Sequence, residues 1–378
     1  MIPLTVPQIS KSAWKYVKEC LDTGWISSAG TYVTQFENRV AEYCGAKYAI
    51  ATVNGTSAIH IALQLIGVGR DHYVIAPNLT FVASVNPIVY AGGRPILIDI
   101  DPQTWQMDLD LLEKFLNAET DLQQGKLILR KDGREIKAIL PVHVLGNAGD
   151  ITRLLKIAKT YGLKVVEDAS ESLGTKYKGK HTGTFGEMGC LSFNGNKIIT
   201  TGGGGMIITN NRELALRAKH LTTQAKVSEN EYYHDEVGYN YRLVNLLAAL
   251  GVSQMEDLEG FVKAKGEIAL FYRDSLAKIG DISFQEISKD IECNNWLFTI
   301  KTSKRRELAN HLMKAKIITR PFWVPMNQLP MYANERYVNN SDQSAKVYDA
   351  SLSLPCSSGI TRKELREVVK EIKLFFRN

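Results

Sequence analysis

Alternating strand and helix patterns constrain the fold of the first half of this chain. Short apolar runs suited to buried strands are separated by helical patterns, in the order 48–53 (strand), 58–66 (helix), 73–76, 96–100 and 138–142 (strands), 151–161 (helix) and 163–167 (strand). Strands that alternate with helices are typical of parallel sheets joined by right-handed crossovers. The sequence therefore predicts an α/β fold with a mainly parallel sheet.

The second half of the chain has a different pattern. One helix is predicted over 244–258 and another over 263–279, and an amphipathic helix is predicted over 363–376 near the end of the chain. A chain of 378 residues is long enough for one large and one smaller domain, each with its own core. We therefore predict a large α/β domain with an N-terminal arm over residues 1–258 and a small α+β domain over 259–378.

Composition excludes several classes of protein. The chain has no apolar run of about eighteen residues and no basic-then-apolar amino terminus, so we expect neither a membrane span nor a signal peptide. Its five cysteines are scattered without a C-x-x-C pair, so we expect no metal site and a reducing, cytoplasmic location. The net charge of +6 is spread along the chain, which gives no support for nucleic-acid binding but suits an anionic substrate.

Two side chains within residues 165–206 carry the main functional signal. Asp168 follows an apolar run and is expected at a strand end, where α/β sheets bind ligands. Lys197 lies in a small polar turn before the glycine run 202–205. Pyridoxal phosphate (PLP) needs a lysine for its aldehyde and an acid that keeps its pyridine nitrogen protonated. Each residue taken alone also fits a simpler role. Asp168 could be a helix cap or a solvated acid, and Lys197 could be a solvated surface charge.

A further segment, Asn54–Ser57, has the composition of a phosphate site. Gly55 permits a close approach of the backbone, and the N–H groups at the start of the following helix would face the anion. The hydroxyl of Thr56 or Ser57 could instead only cap that helix. Phe81 could stack on an aromatic ring, or it could lie in the core as most phenylalanines do.

Six segments taken together are specific. They are N-G-T-S-A (54–58), P-N-L-T-F-V-A-S (77–84), P-V-H-V-L-G (141–146), E-D-A-S-E-S-L-G (167–174), S-F-N-G-N-K-I-I-T-T-G-G-G-G (192–205) and G-Y-N-Y-R-L (238–243). In this order they resemble the DegT-type sugar-nucleotide aminotransferases, a PLP-dependent family that installs amino groups on keto-deoxysugars. The resemblance spans most of the chain and implies PLP-dependent fold type I, the aspartate aminotransferase-like fold.

The resemblance also implies roles for individual residues. Lys197 and Asp168 would be the catalytic pair that holds PLP. The other residues expected at the cofactor are Gly55, Thr56, Phe81, Glu171 and Ser192, together with Asn240 and Arg242 of a neighbouring subunit in a homodimer with shared active sites. The residues expected on the substrate side are Trp25, Ser27, Asn194 and Arg320.

The implied reaction is a two-step transamination that moves an amino group from glutamate to a keto sugar carried on a nucleotide. Most relatives have Gln or His where this chain has Glu171, and many have G-E-G-G where it has four glycines. Both variants resemble the subgroup that aminates C4 of UDP-linked 4-keto-6-deoxy-N-acetylhexosamines for surface glycans, which is the substrate predicted here.

Three alternatives remain open at this point. The first is an aminotransferase for a dTDP- or GDP-linked 3- or 4-keto-6-deoxysugar. The second is a PLP-dependent sugar dehydratase on the same fold, although those relatives carry His in place of Lys197. The third is a non-catalytic regulatory or binding protein on the same scaffold, against which the set of Asp168, Lys197 and Thr56 argues.

Overall fold

The structure, a computed structural model, describes residues 1–228 and 230–377. The helices are α1 (Ala13–Thr23), α2 (Thr31–Cys44), α3 (Gly55–Leu65), α4 (Val82–Tyr90), α5 (Leu109–Glu119), α6 (Ile151–Tyr161), α7 (Arg212–Thr222), α8 (Asn245–Leu276), α9 (Arg305–Lys314), α10 (Gln343–Ala350) and α11 (Arg362–Arg377). The strands are β1 (Tyr48–Thr52), β2 (His72–Pro77), β3 (Arg94–Ile98), β4 (Thr120–Gln123), β5 (Lys126–Leu129), β6 (Glu135–Ile139), β7 (Lys164–Asp168), β8 (Lys176–Tyr177), β9 (Lys180–His181), β10 (Met188–Ser192), β11 (Gly205–Thr209), β12 (Ser283–Phe284), β13 (Ile291–Glu292), β14 (Phe298–Lys301), β15 (Arg320–Pro321), β16 (Arg336–Val338) and β17 (Ser351–Leu354).

Within the described residues, a ten-stranded sheet has the main strand order β1-β11-β10-β7-β6-β2-β3-β16. From β10 to β16 each strand pairs with its neighbour in parallel. Only β11 runs antiparallel to both of its neighbours on this path, β1 and β10. The α/β fold with a mainly parallel sheet that the alternating pattern predicts is therefore confirmed.

Helices cover both faces of this sheet, which explains why its strands are apolar on both sides. Alternate residues of a strand point to opposite faces, and in β2 Val74 packs into a core with α3 and α4 while Ile75 packs into a different core with α5 and α6. A further core, around Phe36 and Phe193, is formed with α2 and α8. The sheet is thus the buried middle layer of the molecule.

The region after residue 243 differs from the prediction. The two helices predicted over 244–258 and 263–279 are one continuous helix, α8, of 32 residues. The predicted break contains Gly260, but a glycine interrupts a helix only weakly, and the neighbouring Leu258 and Phe261 continue the buried face of α8. The packing of its buried face therefore keeps α8 continuous across Gly260.

The later residues form a four-stranded antiparallel sheet in the order β12-β14-β17-β15. It shares a core with α9, α11 and the second half of α8. Helix α8 runs through residue 258, and β16 joins the central sheet. The division into domains over 1–258 and 259–378 stays a prediction.

Among the described residues, no helix has both the length and the apolar character needed to cross a bilayer.

The glycine run brings β11 against the start of α3. Gly205 is the first residue of β11 and pairs with Thr52 of β1 and with Ser192 of β10. A Cβ atom at Gly205 would lie 2.4 Å from the carbonyl carbon of Asn54, the residue that precedes α3. No side chain fits at that distance, so glycine is required for this packing.

We expect Gly205→Ala to lower the free energy of unfolding by about 1–3 kcal/mol, because the added methyl group forces the backbone at Asn54 to move. Gly203→Ala is the matched control, since a Cβ there meets only the Val53 carbonyl oxygen at 3.9 Å. Urea denaturation of both variants measures the difference. Equal stability of the two variants would contradict this account of the glycine run.

Candidate active site

A cavity of about 340 Å³ opens where the carboxyl ends of β7 and β10 meet the start of α3. The predicted residues that line it are Gly55, Thr56, Phe81, Asp168, Glu171, Ser192, Asn194 and Lys197. These residues come from four separate segments of the sequence. The structure therefore brings together most of the residues predicted to contact the cofactor.

Asp168 is the last residue of β7 and is held by two donors. Its Oδ2 accepts a hydrogen bond of 2.6 Å from the Ser84 hydroxyl, and its Oδ1 accepts one of 3.0 Å from the Ser170 backbone N–H. The Ser84 hydroxyl also contacts the Thr80 hydroxyl at 2.9 Å. The carboxylate is buried and oriented by these contacts, which suits a group that must meet one ring nitrogen in a defined direction.

Lys197 lies between an aromatic ring and a carboxyl group. Its Nζ is 4.1 Å from the centre of the Trp296 ring and 3.9 Å from Glu171 Oε1, and its side chain is only 13% exposed. The Trp296 indole is itself fixed, because its Nε1 donates to the Asn196 carbonyl at 2.7 Å. Burial lowers the pKa of Lys197, and nearby Glu171 and Asp168 partly oppose this effect. A lowered pKa favours the neutral amine, the form that can act as a nucleophile or base.

Glu171 is buried in the wall of the same cavity. Its Oε2 accepts a hydrogen bond of 2.7 Å from the backbone N–H of Leu145. Burial raises the pKa of Glu171 to about 7, Asp168 adds to this effect, and Lys197 and the Leu145 N–H oppose it. Close to neutral pH, this carboxyl group therefore changes its protonation state.

The start of α3 forms one end of the cavity. The helix begins at Gly55 and not at Ala58 as predicted, because the side chain of Asn54 caps it by accepting a 2.8 Å hydrogen bond from the Ser57 N–H. The alternative in which Thr56 or Ser57 caps the helix is therefore wrong. A Cβ at Gly55 would lie 2.9 Å from the Cβ of Ser192, so glycine lets the first turn of α3 approach β10 closely.

These groups fit pyridoxal phosphate. The N–H groups of a first helical turn lack intrahelical partners and attract anions, and Thr56 and Ser192 also line the cavity. A buried carboxylate, Asp168, and a lysine of lowered pKa, Lys197, line the rest of it. The donor set thus matches the phosphate, the ring nitrogen and the aldehyde of that cofactor.

Phe81 lies beside this cavity and is 48% exposed, so it is not a core residue. Its ring centre is 6.1 Å from that of Trp323, which lines the cavity as well. The two rings form an aromatic edge to the site. This position agrees with the predicted contact between Phe81 and a ring, which stays a prediction.

Three residues predicted on the substrate side do not line the cavity of this chain. The carbonyls of Trp25 and Ser27 accept hydrogen bonds of 2.7 and 2.6 Å from Asn245, and the Trp25 side chain is 59% exposed. Arg320 is exposed in β15 of the second sheet. Their predicted role would require a change of conformation or a second subunit.

Asn240 and Arg242 also lie outside this cavity. Asn240 is exposed and forms a bridge with Thr223, and Arg242 forms a bridge with Thr52. The Nε atom of Arg242 is buried without a hydrogen-bond partner in the described part of the chain. The placement of both residues outside their own cavity agrees with the predicted sharing between subunits, which stays a prediction.

Several lining residues were missed from the sequence. They are Ile59, Ala83, Ser84, Ser170, Asn196, Trp296 and Trp323. Ser84 ends the segment P-N-L-T-F-V-A-S, so that quoted segment contained a signal for it. Trp296 had no local signal, because it reaches Lys197 from about a hundred residues later in the chain.

Comparison with known proteins agrees with this geometry. Residues 7–373 match the model of the DegT/DnrJ/EryC1/StrS aminotransferase family. The chain is 37% identical over 378 residues to GDP-perosamine synthase of Escherichia coli O157:H7, covering 99% of this chain and 98% of the relative. It is 35% identical over 378 residues to GDP-perosamine synthase of Caulobacter vibrioides, covering 97% and 96%. A crystal structure of a DegT DnrJ EryC1 StrS aminotransferase from Brucella abortus superposes with a TM-score of 0.90 at 26% identity, covering 97% of this chain and 95% of that one.

The chain belongs to the DegT/DnrJ/EryC1/StrS aminotransferase family. It is a PLP-dependent sugar aminotransferase of fold type I, and the predicted fold class, enzyme class and cofactor are confirmed. Of the classes of protein that the sequence left open, the comparisons support an aminotransferase over a sugar dehydratase or a non-catalytic binding protein.

We expect Ser84→Ala to weaken PLP binding by about tenfold or more, because a hydrogen bond to a charged group contributes about 1.5–3 kcal/mol. Ser170→Ala is the control, since Ser170 holds Asp168 through its backbone N–H, which alanine keeps. Equilibrium dialysis against PLP, followed by absorbance, measures both. If the two variants bind PLP equally well, the Ser84 hydroxyl does not support Asp168 in this role.

Proposed function

We propose that this enzyme transfers an amino group from glutamate to C4 of a GDP-linked 4-keto-6-deoxyhexose. The cavity in which Lys197, Asp168 and the start of α3 meet is the observation that supports the proposed amino-group transfer. The substrate rests on the relatives, because perosamine is a 4-amino-4,6-dideoxyhexose and two full-length relatives are GDP-perosamine synthases. The UDP-linked N-acetyl sugar predicted from the sequence stays as the competing substrate.

PLP, when bound, supplies an aldehyde that takes up the amino group and a ring that accepts the electrons of a broken C–H bond. Asp168 would hold the ring nitrogen in its protonated form, with its own carboxylate oriented by Ser84 and Ser170. Gly55 and Thr56 at the start of α3, together with Ser192, would hold the phosphate. These residues would hold the cofactor in the cavity that Lys197 also lines.

Lys197 is the proposed base. Its Nζ would remove the proton from the carbon that bears the donor nitrogen, and in the second half of the reaction it would deliver a proton to the former keto carbon of the sugar. Burial lowers the pKa of Lys197, although Glu171 and Asp168 partly oppose this effect, and it keeps the amine out of bulk water. Donor and acceptor would use the same cavity in turn.

A panel of keto-sugar nucleotides tests the substrate. We expect the GDP-linked 4-keto-6-deoxyhexose to react with a kcat/KM at least about tenfold above the UDP-linked N-acetyl and dTDP-linked sugars, because nucleotide contacts discriminate at this level. Release of 2-oxoglutarate from glutamate measures the rate, and NMR of the product locates the nitrogen. Lys197→Ala provides the background.

Each outcome of that panel is informative. Preference for the UDP-linked sugar would favour the substrate predicted from the sequence over the GDP-linked one. Amination at C3 would contradict the proposed regiochemistry while leaving the donor reaction intact. If none of the sugars supports the release of 2-oxoglutarate, the proposed substrate class is contradicted.

We further propose a homodimer in which Asn240 and Arg242 complete the partner's phosphate site. Both lie outside their own chain's cavity, and the buried Nε of Arg242 lacks a partner within the described chain. An arginine in that state is suited to an anion supplied from another molecule.

Subunit mixing tests this sharing. We expect Lys197→Ala and Arg242→Ala to be nearly inactive alone, and a refolded equal mixture to recover roughly a quarter of the wild-type activity. The reason is that half of the dimers would be hybrids, and each hybrid would have one of its two sites intact. Turnover of the mixture measures the recovery. A mixture as inactive as its components would show that Arg242 acts within its own chain.

A further inference from the structure

Glu171 and Lys197 form a buried pair of ionisable groups in the cavity. The distance between Glu171 Oε1 and Lys197 Nζ is 3.9 Å, and the two side chains are 5% and 13% exposed. The Trp296 ring covers the lysine at 4.1 Å from its centre, a position in which an aromatic ring favours the charged ammonium. A proton on either partner is therefore shielded from water and has the other partner as its neighbour.

The backbone around Glu171 holds this carboxyl group in place. Leu145, whose N–H donates to Glu171 Oε2, has a φ of 61°, a left-handed conformation that is unfavourable for a leucine. The next residue, Gly146, has a φ of 84°, and a Cβ there would lie 1.8 Å from Asn294 Oδ1. Asn294 Nδ2 in turn donates to the Glu171 carbonyl at 2.8 Å. Strain of this kind persists where the surroundings enforce a position, and here that position orients one carboxyl oxygen and leaves Oε1 facing Lys197.

The charged groups that act on the pair are few. Glu171 and Asp168 both raise the pKa of Lys197 against the larger lowering by burial. For Glu171, burial raises the pKa to about 7 and Asp168 adds to this, whereas Lys197 lowers it. The pKa values of the acid and the base thus move toward each other, which lowers the free-energy cost of proton transfer between them.

We propose that Glu171 exchanges a proton with Lys197 and so controls when the lysine amine is free to act as a base. In this step one N–H bond of the Lys197 ammonium breaks as an O–H bond forms at Glu171 Oε1, and the net charge of the pair does not change. Because the 3.9 Å between Glu171 Oε1 and Lys197 Nζ is longer than a hydrogen bond, the proton transfer requires a rotation of the lysine side chain or one bridging water. Glu171 would thus be a positioning residue that acts through Lys197. The inference rests on the role proposed for Lys197 and goes beyond it.

The test uses the full-length protein freed of PLP, so that Lys197 is available to a reagent. Competitive reductive methylation across a pH series, read by mass spectrometry, reports the pKa of Lys197. In Glu171→Gln, which keeps an acceptor for the Leu145 N–H, we expect this pKa to fall by about one unit or more, because an opposite charge at this distance raises it by about 1–3 units. Lys197 should then react about tenfold faster at about pH 8. Lys18, an exposed lysine paired with Asp22, should react equally in both proteins.

Two further measurements make the result decisive. Glu171→Asp retains the charge and should keep the Lys197 profile closer to that of the wild type than Glu171→Gln does. Infrared spectra of the wild type should show a carboxylic acid band that disappears with a midpoint near pH 7, and this midpoint should rise in Lys197→Ala, because the ammonium lowers it. The infrared experiment does not depend on whether Glu171→Gln folds.

An unchanged Lys197 profile in Glu171→Gln, or a Glu171 carboxyl that stays ionised from about pH 6 to 8, would overturn the inference. Neither measurement uses a sugar or glutamate. Failure of the sugar panel would therefore leave this result standing, and failure of this result would leave the proposed substrate untouched.

Discussion

The close approach of α3 to the ends of β10 and β11 is the constraint on which the site depends. It requires glycine at Gly55 and Gly205, because a Cβ atom at either position would overlap with Ser192 or with the backbone of Asn54. Asn54 then starts the helix by capping it. The result is a helix N-terminus directed into the same cavity as the ends of β7 and β10, so that an anion site and an acid–lysine pair are adjacent.

Charge in this cavity is controlled chiefly by burial. Asp168 is held by the Ser84 hydroxyl and the Ser170 N–H, whereas Glu171, three residues later, accepts a hydrogen bond from the Leu145 N–H and faces Lys197. Two carboxyl groups in one cavity therefore have different surroundings. One is suited to stay fixed against a ring nitrogen, and the other is suited to gain and lose a proton near neutral pH.

Much of the site could be predicted from sequence because its residues lie in short segments with recognisable order. Gly55, Thr56, Asp168, Ser192 and Lys197 all line the cavity, and the segments that contain them are recognisable in the sequence alone. Trp296 could not be predicted, because its contact with Lys197 depends on how the residues after α8 pack onto the cavity. The break predicted within α8 was wrong for a related reason, since the packing of Leu258 and Phe261 outweighs the weak helix preference of Gly260.

By itself, the sequence determined the α/β class and the mainly parallel sheet, and through the resemblance of its motifs to a known family it determined the PLP chemistry. These follow from local periodicity and from short motifs, whose physical cause lies within a few neighbouring residues. Only the tertiary structure decided that Glu171 faces Lys197, that Ser84 holds Asp168, and that Asn240 and Arg242 lie outside their own cavity. Such contacts join residues distant in the chain, and their distances and burial depend on the packing of the whole fold.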